Sequence, residues 1–280
     1  LSELTDHALG GELGAALDVS TNMIDRARRE IGLVAMGLSA NFNIQHKAGD
    51  TLNQTPGNDF FSSILPVTTA AIGNSGTTNV SATIDNASDL TGASYRVDYT
   101  DSVVTLTNLV TGDTQEINGT VITLEGVRFE VSPFSNLTDG DSFIVEPTGR
   151  AAASMGVDIT DTSEIAAANL GGSVGDNRNM LSLIALRDTN NLKSGTQSVY
   201  DIYNNAVSQV AVDTRSAKAN AETEVSLLNS VKDQRASITG VNLEEEAANL
   251  IRYQQAYQAA AQIITTANDV FDTLLRATSR

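Results

Sequence analysis

The sequence has no cysteine and no tryptophan among its 280 residues, and only two histidines and four prolines. Without cysteine there are no disulfides, no thiolate metal sites and no cysteine nucleophile. Two histidines, His7 and His46, leave little for metal binding or general-base work. Neither has a helical His-x-x-x-His partner, so a surface or turn role is the expectation for both. Basic side chains are also scarce: 17 against 34 acidic ones give a net charge of -17 and a pI near 4.3. Such a chain does not hold a phosphate backbone by counterion release, so no nucleic-acid partner is expected. No apolar run approaches the roughly 20 residues of a membrane-spanning helix, and no membrane insertion is expected. The first residue is Leu1 and not an initiator Met, so the lack of a visible leader carries little weight.

What is present changes character along the chain. Residues 1–62 hold 8 acidic and 4 basic residues, 63–170 hold 14 and 3, and 171–280 hold 12 and 10. The excess negative charge therefore sits in the middle third. In the first part, Leu13, Leu17, Ile24, Ala27, Ile31, Val34, Leu38 and Phe42 recur at helical spacings and predict one apolar stripe, ending near Gly49. In the middle part the period becomes two. Tyr95, Val97 and Tyr99 alternate with Arg96 and Asp98, and Val104, Leu106 and Asn108 alternate with Val103, Thr105 and Thr107. Further strands are predicted at 121–124, 127–131 and 143–145, separated by turns at Thr111-Gly112-Asp113, Asn118-Gly119 and Asp139-Gly140-Asp141. The last part returns to helix. A short helix is predicted over 176–186 and a long one over 196–235, a stretch free of proline and glycine. Gly240 breaks it, and Asn242 with Glu245 forms a candidate capping box for a final helix.

The predicted fold is α+β: an elongated bundle of long antiparallel helices with an inserted, mainly antiparallel β domain. Expected domains are a helical rod domain, first part, at 1–62; the β insertion at 63–170; the return part of the helical domain at 171–240; and a C-terminal coiled-coil helix at 241–280. In that last helix Leu243, Ala247, Leu250, Gln254, Tyr257, Ala261, Ile264, Asn268, Phe271 and Leu275 alternate strictly by four and three. This is an a/d heptad seam, interrupted by two polar positions that can fix register. The seam is the candidate site for a helical partner or chaperone; its bland alternative is an ordinary core helix of the same domain. No catalytic, metal or cofactor-binding residue is expected. Asp139 with Asp141 reads as a turn and not a Ca²⁺ loop. Asp98 and Asp101 read as solvent-facing strand residues and not as a glycosidase pair. Tyr253 and Tyr257 read as helix-packing groups.

The stretch Ser237-Ile238-Thr239-Gly240-Val241-Asn242-Leu243-Glu244-Glu245-Glu246, continued by Asn249 to Gln258, Ile264 to Asn268 and Phe271 to Leu275, resembles the terminal signature of bacterial flagellar axial proteins. Gly10 to Asp18, Asn41-Phe42-Asn43 with His46 and Gly49, Pro56-Gly57 with Phe60-Phe61, and Gly175-Asp176-Asn177 narrow the resemblance to the hook-filament junction family. The resemblance covers nearly the whole chain and is weakest across about 66–150. The family's Asn- and Ala-rich N-terminal axial helix has no counterpart at Leu1 to Gly10, so the chain reads as part of a longer protein. The resemblance implies a structural protein exported through the flagellar type III channel. It implies self-association in a ring, contacts with hook protein and with the next hook-associated junction protein, and a cytoplasmic export chaperone on the C-terminal helix. Alternatives are another axial protein of hook or rod and, from a different class, an extracellular carbohydrate-active or adhesive protein.

Overall fold

The structure is a computed structural model and describes residues 11–239 and 243–278. The chain divides into two units, one running to Thr214 and one from Arg215. His7, Gly240 and Asn242 lie outside the described residues.

Helix α1 spans Gly11–Asp18, a π-helical turn follows at Val19–Ile24, and α2 spans Asp25–Lys47. The face that α2 buries is Gly32, Leu33, Ala35, Met36, Gly37, Ser39, Asn43 and His46. This corrects the predicted stripe, because Ile24 and Ile31 are half-exposed. The buried face is built on small residues beside Leu33 and Met36. A Cβ at Gly32 would collide with the carbonyl of Thr148, and one at Gly37 with the methyl groups of Leu192. Hydrophobicity marks neither glycine, yet both permit the close approach.

After α2 the chain forms β1 at Gly49–Asp50, β2 at Val67–Ala70, β3 at Asn79–Ile84, β4 at Tyr95–Thr100 and β5 at Val103–Asn108. Next come β6 at Thr114–Glu116, β7 at Val121–Leu124, β8 at Val127–Ser132 and β9 at Ser142–Glu146. A one-turn helix α3 covers Ala151–Ser154, and β10 covers Ala168–Asn169. One sheet has the order β2-β9-β4-β5-β6 and a second β3-β8-β7, while β1 pairs with β10. All pairings are antiparallel. Two connections are two-residue hairpins: Asp101-Ser102 joins β4 to β5 and Glu125-Gly126 joins β7 to β8. Both residues of each loop have positive φ, from 49° to 75°, which matches the twist of the flanking strands.

Period-two burial assembles the core. Tyr95 and Val97 of β4, Val104 and Leu106 of β5, and Val127, Phe129 and Val131 of β8 are all buried. The Tyr95 and Phe129 rings meet edge to face at 5.0 Å. Leu33 and Met36 of α2 belong to the same hydrophobic cluster, so the helix and both sheets share one interior. Each such side chain contributes about 1.5–3 kcal/mol on full burial.

Helix α4 spans Arg178–Ala185, α5 spans Val199–Thr239 and α6 spans Leu243–Thr278. Ser198 caps α5 reciprocally: its hydroxyl accepts from the Asp201 amide at 3.1 Å, and its own amide donates to the Asp201 carboxylate at 3.0 Å. The first half of α5 runs antiparallel to α2, with Arg26 facing Asp213 at 3.6 Å. Further along α2, Glu30 pairs at 3.5 Å with Lys193, just before α5 begins. The α+β class, the antiparallel sheets and the long helices are as the sequence predicts.

Candidate interaction surface

The motif residues of 41–61 and 175–177 converge on one polar and aromatic clasp. Phe42, Phe60 and Phe61 meet tilted or edge to face, with centroids 4.8–5.3 Å apart. Beneath them Asn43 Oδ1 accepts the amides of Phe60 and Phe61, each at 2.9 Å, and its Nδ2 donates to the Phe61 carbonyl at 2.8 Å. One side chain thereby fixes the bend that follows α2.

His46 is fully buried, which overturns the surface or turn role expected for it. Its Nε2 accepts the Ala166 amide at 2.9 Å, so Nδ1 carries the proton and donates to the Asn58 carbonyl at 2.7 Å. A lone histidine in a sequence carries no sign of the two backbone groups that meet it. Gly57 lies against His46, and a Cβ there would meet the ring and carbonyl of that residue. Asn179 of α4 completes the clasp, taking a 2.6 Å hydrogen bond from Gln45 and giving one of 2.7 Å to the Ala166 carbonyl. Asn179 was not singled out by its sequence context. Its only signal is a polar residue on the apolar side of a short amphipathic helix.

Asp176 accepts the side chain and the amide of Arg178, and the amide of Asn169. The Arg178 side chain, more than any other partner, holds its carboxyl well below the usual range. Asp50 accepts the Gly171 amide at 2.6 Å. These groups tie segments 43–61 and 166–179 together and leave their polar atoms engaged.

The carboxylates of the β region serve its turns and strands. Asp98 pairs with Arg96 at 2.7 Å and accepts the Ser142 hydroxyl at 2.7 Å, so it is half-buried and engaged across strands. Asp139 accepts the Asp101 amide. Asp141 is buried and receives three backbone amides, from Ser75, Gly76 and Thr138, at 2.8–3.2 Å. Burial pushes its pKa up, but those three donors outweigh burial and hold it below the usual carboxylate value. Tyr95 donates to Glu125 at 2.5 Å, and burial together with that carboxylate pushes the phenol pKa up.

The predicted seam lies wholly on α6. Leu250, Tyr257, Ile264 and Phe271 are 62–78 % exposed. Ala247, Gln254, Ala261, Asn268 and Leu275 are exposed beside them, and Leu243 heads the helix. Spacing by four and three aligns these positions in one stripe. The stripe is therefore continuous, largely apolar and exposed.

The chain is similar to known proteins. The family described as the flagellar hook-associated protein FlgK helical domain matches residues 2–61. The family described as the flagellar basal body rod FlgEFG protein C-terminal matches residues 233–277. Flagellar hook-associated protein 1 of Escherichia coli (strain K12) is 34 % identical over 274 residues, which is 95 % of this chain and 49 % of that protein. Its counterpart in Salmonella typhimurium (strain LT2) is 32 % identical over 277 residues, again 95 % and 49 %. The flagellar hook junction protein FlgK from Burkholderia pseudomallei shares the fold, with a TM-score of 0.74 at 18 % identity over 84 % of this chain and 64 % of that one.

The proteins to which this chain is similar are, by name, flagellar hook-associated and rod proteins. The chain is similar to flagellar hook-associated protein 1 along 95 % of its own length, and spans about half the length of the curated relatives it matches.

Proposed function

We propose that the chain is a structural subunit of the bacterial flagellum, joining hook to filament by helix-helix contacts and doing no chemistry. The observation that carries this reading is the exposed heptad seam of α6 on a chain similar to hook-associated protein 1. Burying Leu250, Tyr257, Ile264 and Phe271 would contribute about 6–12 kcal/mol gross, before the costs of association. The partners proposed are copies of the same subunit arranged in a ring, the hook protein, and the next hook-associated junction protein. Before export a cytoplasmic chaperone would cover the same seam, since one amphipathic face can dock successively on different helices. The site of action is the extracellular flagellum, reached by type III export. The match of residues 2–61 to the hook-associated helical domain favours this reading over a hook or rod protein.

Complementation of a strain lacking its own junction protein tests the proposal with the full-length protein carrying Leu250→Asp or Ile264→Asp. Hooks should form while filament subunits escape into the medium. Normal filaments and swimming with both variants would overturn the reading.

A further inference from the structure

Four dipeptides of the chain have the residue types that close readily to a cyclic imide: Asn118-Gly119, Asp139-Gly140, Asn74-Ser75 and Asn229-Ser230. Closure brings the backbone nitrogen of the second residue onto the side-chain carbonyl carbon of the first, and a small second residue leaves that nitrogen uncovered. The fold locks three of the four. The Gly140 amide donates to the Tyr99 carbonyl at 2.9 Å, and the Asp139 carboxylate accepts the Asp101 amide. The Ser75 amide donates to Asp141 at 3.0 Å, while the Asn74 carboxamide is held at both ends by the backbone of Ser142, at 2.8 and 2.9 Å. Asn229-Ser230 lies within α5, whose amides are bonded along the helix. Asn118-Gly119 is different. Both residues are exposed, and a Cβ built on Gly119 would meet no atom within 4 Å. Among the described residues, neither the Gly119 amide nor the Asn118 side chain has a hydrogen-bond partner. Their neighbours are pinned: the Ile117 amide donates to the Val104 carbonyl and the Thr120 carbonyl accepts the Val131 amide, each at 2.8 Å.

We infer that Asn118 is the site at which the folded chain deamidates. The Gly119 nitrogen, its proton lost to solvent base, bonds to Cγ of Asn118. The Cγ–Nδ2 bond breaks, and that nitrogen leaves as ammonia after taking a proton from water. Water then opens the imide, at Cγ to give aspartate or at the backbone carbonyl to give isoaspartate. The balance is one water in and one ammonia out, with nothing oxidised or reduced. The site joins β6 of the five-stranded sheet to β7 of the three-stranded one. Isoaspartate there inserts an extra carbon into the main chain between two pinned ends. Either product adds a carboxylate to a region that already holds 14 acidic against 3 basic residues. The inference stands apart from the proposed function, because it depends only on the local backbone.

Trypsin separates the sites, since cleavage after Lys47, Arg96, Arg128 and Arg150 puts Asn74, Asn118 and Asp139 on different peptides, 48–96, 97–128 and 129–150. The purified chain is aged at mildly alkaline pH, folded in buffer and, in parallel, unfolded in guanidinium chloride. In the folded chain the peptide 97–128 should gain about one mass unit, and fragmentation should place the change at position 118, partly as isoaspartate. Its rate should lie within a few-fold of that in the unfolded chain. Folding should slow deamidation of Asn74 and isomerisation of Asp139 many-fold. Asn118→Gln, whose ring closure is the slower six-membered one, should abolish the change in 97–128 and leave the unfolding midpoint unaltered. Folding that slows Asn118 as much as Asn74, or that slows none of the three, would overturn the inference.

Discussion

At the scale of single residues, polar side chains do the fixing that a hydrophobic count does not register. His46 satisfies a buried amide and a buried carbonyl at once, from segments far apart in sequence. His46→Ala strands both and opens a cavity, so it should destabilise the fold by about 2–4 kcal/mol, read as a shift in the urea midpoint. A shift below about 0.5 kcal/mol would show that the clasp does not hold the fold. Asp141 gives a pH signature. Its carboxyl titrates lower when folded than when unfolded. Its contribution is therefore complete above the unfolded value of about 4 and is lost as the pH falls through the lower folded value. Asp141→Asn should lower stability at neutral pH by about 1–3 kcal/mol and flatten the fall in stability below pH 4. Denaturation curves of the two proteins between pH 2 and 7 check this, and identical acid slopes would contradict it. The quoted family motifs contain Asn43, His46 and Asp176. Nothing in residue type or spacing said that these side chains hold backbone in place, because their partners come from other segments.

At the scale of elements, legibility followed period. Strands β4, β5, β8 and β9 were readable because each buries one face against the other sheet, so alternation is preserved in the sequence. Strands β2 and β6 were not, since they lie at the edges of the five-stranded sheet and no residue of either is fully buried. The hairpin loops Asp101-Ser102 and Glu125-Gly126 also escaped, the first because it has no glycine to mark its positive φ. The stripe on α2 failed for a different reason: glycines and other small residues stand where the packing is closest. Substitution separates the two readings of that helix. Leu33→Ala should cost about 2–5 kcal/mol, whereas Ile31→Ala should cost less than about 1 kcal/mol. Equal losses, measured by equilibrium unfolding, would restore the stripe that hydrophobicity predicts. On α6 the spacing by four and three was readable as one face, which is exposed in the structure.

At the scale of the whole molecule, the resemblance to flagellar proteins is readable in the sequence, whereas the clasp that ties 43–61 to 166–179 is not. The acidic excess is concentrated at 63–170, with 14 acidic against 3 basic residues, while the final helix carries an uncharged stretch. One part of the chain repels its like and another tolerates it, a division suited to subunits that meet at one place and stay apart elsewhere. The central claim is that the apolar face of α6 serves other chains and not the interior of its own. The most direct measurement is the denaturation midpoint of the isolated chain carrying Leu250→Asp, compared with Leu33→Asp. The account predicts a midpoint for Leu250→Asp within about 0.5 kcal/mol of the unaltered chain, and loss of several kcal/mol, or of folding altogether, for Leu33→Asp. A comparable loss from both would mean that Leu250 belongs to a private core, and would contradict the account.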